Sequence, residues 1–221
     1  MKRRGIIFIY LFILSCSVAK PIPDWLSVSV SSIESYKKYY LSGRTEVAER
    51  QFTRALLEAK KTGNPEILAR LYLIKMAVTS ATLEELETKE YERLNALAPS
   101  PINETYFAFL SGNLTAADER FLPDQYRSFF KAVKERKNPI SLREEIEKID
   151  EPLSALIAVS VLTRLHLEDE AILKRAIEIS SAQGWERPLL AYLRRIKGYY
   201  EQRNEGKKAK LIEKQINLLE Q

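Results

Sequence analysis

The chain has 221 residues, 45% apolar and 29% charged, a balance that supports a hydrophobic core and excludes disorder as the dominant state. Seven glycines leave little from which to build phosphate loops, dinucleotide fingerprints or glycine-punctuated hairpins, while the wealth of Leu, Glu, Lys, Ala and Arg favours helix. Three positive charges of the formal +5 are Lys2, Arg3 and Arg4; without residues 1–15 the balance is +2, too small an excess for a nucleic-acid-binding face.

Those cations precede Gly5 to Leu14, ten uncharged aliphatic and aromatic residues. The run is well short of the ~20 apolar residues that a bilayer-spanning helix needs, so it predicts an export signal. Ile13-Leu14-Ser15-Cys16 then resembles the lipobox of bacterial lipoproteins, in which aliphatic residues and a small one precede the cysteine to be modified. The resemblance implies that the Cys16 thiol takes a diacylglyceryl group, that signal peptidase II cuts before it, and that the freed amine is often acylated. Cys16 is the only cysteine, so no internal disulfide competes for it. One acyl chain, at roughly 0.8 kcal/mol per buried methylene, anchors marginally, and durable attachment takes two or three. Ser17, not an acid, follows the cysteine, which by the same resemblance implies the outer membrane, facing the periplasm.

A second cleavage stays open. Ser17-Val18-Ala19 is a small-x-small site, and cutting after Ala19 would release a soluble periplasmic protein that starts at Lys20. On the first reading, residues 1–15 are a lipoprotein signal peptide, 16–24 a short tether and 25–221 a helical-repeat domain. Pro21 and Pro23 stiffen the tether, which at about 3 Å per residue holds the body about 25–30 Å from the bilayer.

From Trp25 onward the apolar period is helical. Tyr36, Tyr39 and Tyr40 share a face ahead of a Ser42-Gly43 stop, and Thr45 is positioned to cap a helix carrying Ala48, Phe52, Ala55, Leu56 and Ala59. Thr62-Gly63 ends it, and Asn64-Pro65-Glu66 restarts with a cap, a first-position proline and an acid against the helix dipole. Thr82 to Glu85 reads as a capping box ahead of Leu86, Leu94 and Leu97, as does Ser141 to Glu144 ahead of Ile146 and Ile149. Between them, Ser100-Pro101 opens a short apolar helix that ends near Gly112, and Pro123-Asp124 opens an aromatic face of Tyr126, Phe129, Phe130 and Val133. The stretch from Asn113 to Pro123 is a candidate seam. Glu151-Pro152 starts a run without charge until Arg164, which predicts the most buried helix. Ile172, Ala176 and Ile179, then Leu189, Leu193, Ile196 and Tyr200, then Ala209, Ile212, Ile216 and Leu219 mark the last three. The expected fold is all-α: about ten helices in stacked antiparallel hairpins.

Two segments resemble degenerate tetratricopeptide repeats. Tyr39, Gly43, Ala48, Phe52 and Ala55 hold the family's spacing, with Ser32, Ser35 and Tyr36 where it prefers tryptophan, leucine and glycine. Leu193, Ile196, Tyr200 and Ala209 hold it again near the C-terminus, with Glu213 in place of a large aromatic. A period of about 34 residues does not run through the helices between, so a tetratricopeptide-like solenoid and an irregular α-helical stack stand side by side. The resemblance implies a concave surface lined by the first helix of each hairpin, and thereby nominates Lys37 and Tyr40 near one end and Arg194 and Glu201 near the other for partner binding.

Little points to chemistry. His166 is the only histidine, too few for a metal site with no cysteine partners or for a Ser/His/Asp constellation, and a structural or surface role is expected of it. Glu34-Ser35 resembles the start of the murein transglycosylase motif, but the Gly-Leu-Met-Gln-like segment that should follow is absent. The basic runs Lys131 to Lys137 and Lys207 to Lys210 have acids close by and read as solvated faces. The expectation is an envelope lipoprotein that acts as a protein–protein adaptor or assembly factor, without cofactor, metal or nucleic acid, its partners being other envelope proteins or their peptide segments. The alternatives are an enzyme that acts on the cell wall with carboxylates in a helical groove, and a soluble periplasmic binding module.

Overall fold

A computed structural model describes residues 22–220. The signal, Cys16 and the tether as far as residue 21 lie outside the described residues. Within them the chain forms α1 (Asp24–Leu41), α2 (Thr45–Lys60), α3 (Pro65–Ala81), α4 (Lys89–Leu97), α5 (Pro101–Leu110), a 3-10 turn (Glu119–Phe121), α6 (Asp124–Lys134), α7 (Pro139–Glu147), α8 (Pro152–Arg164), α9 (Glu170–Ala182), α10 (Glu186–Gln202) and α11 (Gly206–Leu219). No described residue is in a strand, and the all-α class stands as expected.

Local signals place several ends. Asn64 accepts the amide of Glu66 and opens α3 at Pro65, and the Glu151 carboxylate accepts the amides of Leu153 and Ser154 to open α8. Two capping boxes do not form. Thr82 finishes α3 instead, donating its hydroxyl to the Thr79 carbonyl, and α4 begins only at Lys89. Asn138, three residues ahead of Ser141, accepts the Ser141 amide and starts α7 at Pro139. Thr45 is the first residue of α2 and makes no capping bond. Between Asn113 and Pro123 the chain makes turns with Ala117 and Leu122 buried in the core, so no seam opens there.

Helix α8 organises the packing. Leu153 to Thr163 are all buried, and α3, α5, α6, α7 and α9 pack around them. Ser80 of α3 and Ser160 of α8 meet at 2.6 Å, two small buried hydroxyls that satisfy each other, with Ser160 donating on to the Ile157 carbonyl. Tyr192 of α10, wholly buried, donates to the Leu156 carbonyl at 3.1 Å. At the end of α8, His166 takes the left-handed position at φ +56, and its amide and that of Leu167 return to the Thr163 and Leu162 carbonyls. The lone histidine is an exposed helix terminator.

Most consecutive helices pack on one another, and the two segments with repeat-like spacing are tight hairpins. Ala48, Ala55 and Ala59 are buried against α1, and Ser29 donates to the Ala55 carbonyl at 3.3 Å. In the C-terminal pair, Glu213 of α11 forms an ion pair with Lys197 of α10 where the family would place an aromatic ring. The hairpins do not run out as an open row, because α1 packs on α10 as well as on α2 and α3.

Glu170 ties the last three helices together. Its carboxylate meets Lys174 at 2.7 Å, accepts from Tyr200 of α10 at 3.0 Å and meets Lys208 of α11 at 3.2 Å. The Lys174 ammonium first, then Tyr200 and Lys208, hold this carboxyl down to about 2. A folded-state value below the unfolded one gives stability that is present above the ordinary glutamate range and lost as pH falls through the folded value. Glu170→Gln is therefore expected to lower the thermal midpoint by about 2–4 °C at neutral pH, with variant and parent converging between about pH 4.5 and 2 when unfolding is followed by circular dichroism.

Candidate functional site

The turn after α3 builds the site. Leu83 holds the left-handed conformation at φ +59, its amide bonded to the Ser80 carbonyl and that of Glu84 to the Thr79 carbonyl, the Schellman closure that glycine usually serves. A leucine there costs backbone energy, and its side chain packs partly buried against the core. The turn delivers Glu84 onto α1 and α10. Tyr40 donates to Glu84 Oε2 at 2.8 Å, Thr82 donates to Oε1 at 2.8 Å, and Arg187 Nε lies 3.0 Å from Oε1. The Arg187 guanidinium also lies over the Tyr40 ring, 4.1 Å from its centroid.

Beside this knot opens a cleft of about 630 Å³. Its walls are Tyr40, Thr45 and Glu49 from the first hairpin, Tyr72, Lys75, Met76 and Thr79 from α3, Glu84, Glu85, Glu87 and Thr88 from the loop, Lys89 and Glu90 from α4, and Arg187 from α10. Lys75 pairs with Glu49 at 2.9 Å and lies 5.1 Å from the Phe52 ring centroid. A row of rings backs the cleft: Tyr40, Tyr36 and Phe52 follow at 5.4 Å spacings, and Tyr72 meets Phe52 edge-on at 5.4 Å. Burial first, then the bond to Glu84, pushes the Tyr40 hydroxyl well above the ordinary tyrosine range, and burial does the same to Tyr36. Tyr40 thus stays a proton donor to Glu84.

Of the nominated partner-binding residues, Tyr40 belongs to this cleft but is only 3% exposed. Lys37 pairs with Glu34 at 2.8 Å and borders a separate cavity of about 380 Å³ between α1, α3, α6 and α8, with Trp185 and Glu151. Arg194 pairs with Glu220 and borders the shallow groove beyond Arg187, while Glu201 lies two turns further along α10, 3.7 Å from Lys197. Because α1 packs against α10, the two helices are neighbours rather than the two ends of a concave surface.

A glycosidase acid needs a carboxyl held protonated by its surroundings. Glu34, on the 380 Å³ cavity, is bound to Lys37, and Glu151 beside it is occupied by the amides at the start of α8. The carboxyls of Asp118, Glu145 and Glu170 are displaced, all downward, by Arg120, Lys148 and Lys174 respectively. Among the described residues no three His, Cys, Asp or Glu are grouped to hold a metal ion, and no helix is long and apolar enough to cross a membrane.

No family model matches the chain, and neither a curated protein nor a solved structure matches it.

The sequence reading missed Glu84, Lys75 and Arg187. Lys75 stands alone in the apolar run from Leu71 to Val78, and Arg187 sits in the first turn of α10, where the helix dipole disfavours a cation. Both placements mark charges with work outside their own helix.

Two outcomes follow from this geometry. Tyr40→Phe should cost about 1 kcal/mol in urea unfolding, since Glu84 loses a neutral donor but keeps Arg187 and Thr82. Burial holds Tyr36, Tyr40, Tyr126 and Tyr192 protonated beyond the usual range. The folded state then binds more protons than the unfolded one above about pH 10, and stability falls as pH rises past that point. At about pH 11 the tyrosinate absorbance of the native protein should jump on adding guanidinium chloride, and a native spectrum already at full ionisation would contradict the packing.

Proposed function

We propose that this protein is a lipoprotein of a bacterial envelope, anchored through Cys16 in the outer membrane, and that it holds a segment of another envelope protein against its helical body. The cleft at the joint of α1, α3, α4 and α10 carries this reading, for it is open, lined by charged and aromatic side chains from several elements, and large enough for a few residues of a partner. The anchor has support of its own. Leu26 and Val30, one turn apart in α1, are 37% and 53% exposed, and Ile22, two residues ahead of the helix and six after Cys16, is 69% exposed. Exposed apolar side chains within reach of a short lipid-anchored tether suit contact with the membrane surface. Glu34 and Glu151, committed to Lys37 and to helix amides, give less support to a cell-wall hydrolase.

The anchor is tested by the intact mass of the mature protein, purified from membranes of its own or a related bacterium, beside a Cys16→Ala variant. The expected mass begins at Cys16 and carries acyl chains, and the variant loses them. A mass that begins at Lys20 without lipid would replace the anchored adaptor with a freely diffusing periplasmic protein. The adaptor role is tested by a photoreactive residue in place of Glu87 in living cells. A discrete adduct with an envelope protein is expected, and adducts with glycan alone would overturn the role.

A further inference from the structure

The cavity of about 380 Å³ beside Lys37 lies apart from the cleft and has a different chemistry. Its lining is mainly aliphatic: Leu41 from α1, Ile74, Ala77 and Val78 from α3, and Leu153 and Ile157 from α8. Tyr106 and Tyr126 add ring surface, their centroids 6.2 Å apart, and half-buried Trp185 adds more. Four charged side chains border the space. Lys37 is bound to Glu34 at 2.8 Å, and the Glu151 carboxylate accepts the Leu153 and Ser154 amides. Lys38, exposed at the rim, is the one lining charge without a partner among the described residues. The volume falls within the range of small-molecule sites, about 300–1,000 Å³. Water in an aliphatic slot finds few hydrogen-bond partners, so its displacement by an alkyl chain is favourable.

The surface that leads to the cavity is apolar as well. Leu26, Val30, Glu34, Lys37 and Leu41 follow four, four, three and four residues apart, so they share one face of α1. The last three line the cavity, and the first two are exposed on the way back towards Cys16.

We infer that this cavity binds a single-chain anionic amphiphile, its alkyl tail against the aliphatic wall of α3 and α8 and its head at Lys38. The site is additional to the adaptor reading and does not rest on it. A sugar needs several free donors and acceptors around it, whereas Glu34, Lys37 and Glu151 are already engaged. An extended peptide would bury its backbone amides against aliphatic side chains that offer them no acceptor. A cationic amphiphile would fit the tail but bring its head to an ammonium. Because Lys38 is exposed, it sets a preference among head groups more than the affinity, and salt weakens that preference.

The test uses the full chain with Cys16→Ala, so that no lipid of its own competes, purified without detergent. Trp25→Phe leaves Trp185 as the sole tryptophan, a reporter on the cavity lining. The bromine of ω-bromoundecanoate should quench Trp185 saturably at concentrations below those at which it forms micelles. Among competitors, decanoate should bind at least about fivefold more tightly than octanoate, since each methylene taken out of water is worth up to about fourfold. Dodecyltrimethylammonium should compete about fivefold less well than dodecanoate, and Lys38→Gln should erase most of that difference while the thermal midpoint stays put. Ala77→Leu, which narrows the slot, should weaken every competitor about tenfold, and the chain-length series tests the slot in a chain without that change. Lauroyl lysophosphatidylglycerol should compete too, and the tighter of it and dodecanoate names the source, a lysolipid or a free fatty acid. Competition that ignores chain length, a cation that binds as tightly as dodecanoate, or no saturable quenching would overturn the assignment. Tighter competition by diacetylchitobiose would overturn it in favour of a glycan site. The cross-link at Glu87, by which the adaptor role stands or falls, probes the other cleft and is independent of these results.

Discussion

Leu153 to Thr163 contribute no face to water, and a helix without a polar side has to be enclosed by other helices. Each large apolar side chain so buried contributes about 1.5–3 kcal/mol, far more than any surface ion pair of this protein. Enclosing α8 draws in α3 on one side, α9 on another, α5, α6 and α7 around the rest, and Tyr192 of α10 at the Leu156 carbonyl. Once α3 and α10 are both held to α8, α1 has to meet α10. The closed arrangement and the cleft at its joint are consequences of one uncharged run in the sequence.

The joint itself is polar and half-exposed. Glu84 collects a phenol, a threonine hydroxyl and a guanidinium, each at hydrogen-bond distance, on a turn whose leucine sits in left-handed backbone. Such contacts add little stability at a partly solvated site, but they fix geometry, since Tyr40 and Arg187 can each face Glu84 in few ways. The result is a rigid wall beside a loop that leaves Glu85 and Glu87 uncommitted.

The fold was legible where the signals were local. Asn64-Pro65-Glu66 and Glu151-Pro152 carry their own caps, and the buried character of α8 follows from composition alone. Thr82 and Ser141 misled because the same four-residue pattern fits competing structures: the Thr82 hydroxyl turns back to close α3, and Asn138-Pro139 offers a better cap just upstream of Ser141. The site was less legible. Tyr40 stood out through the repeat resemblance, whereas Glu84 and Arg187 reach it only because α8 fixes where α3 and α10 lie. No local pattern encodes that meeting, although a lysine in the apolar stretch of α3 and an arginine at the wrong end of α10 hint at it.

The central claim is that the burial of α8 holds the whole closed body together, and native-state hydrogen exchange tests it most directly. The amides from Leu156 to Leu162 should exchange only through global unfolding, with an opening free energy equal to that from urea denaturation, while α1 and α11 open at lower cost. Exchange of α8 through a smaller opening, with the terminal hairpins still protected, would contradict the account.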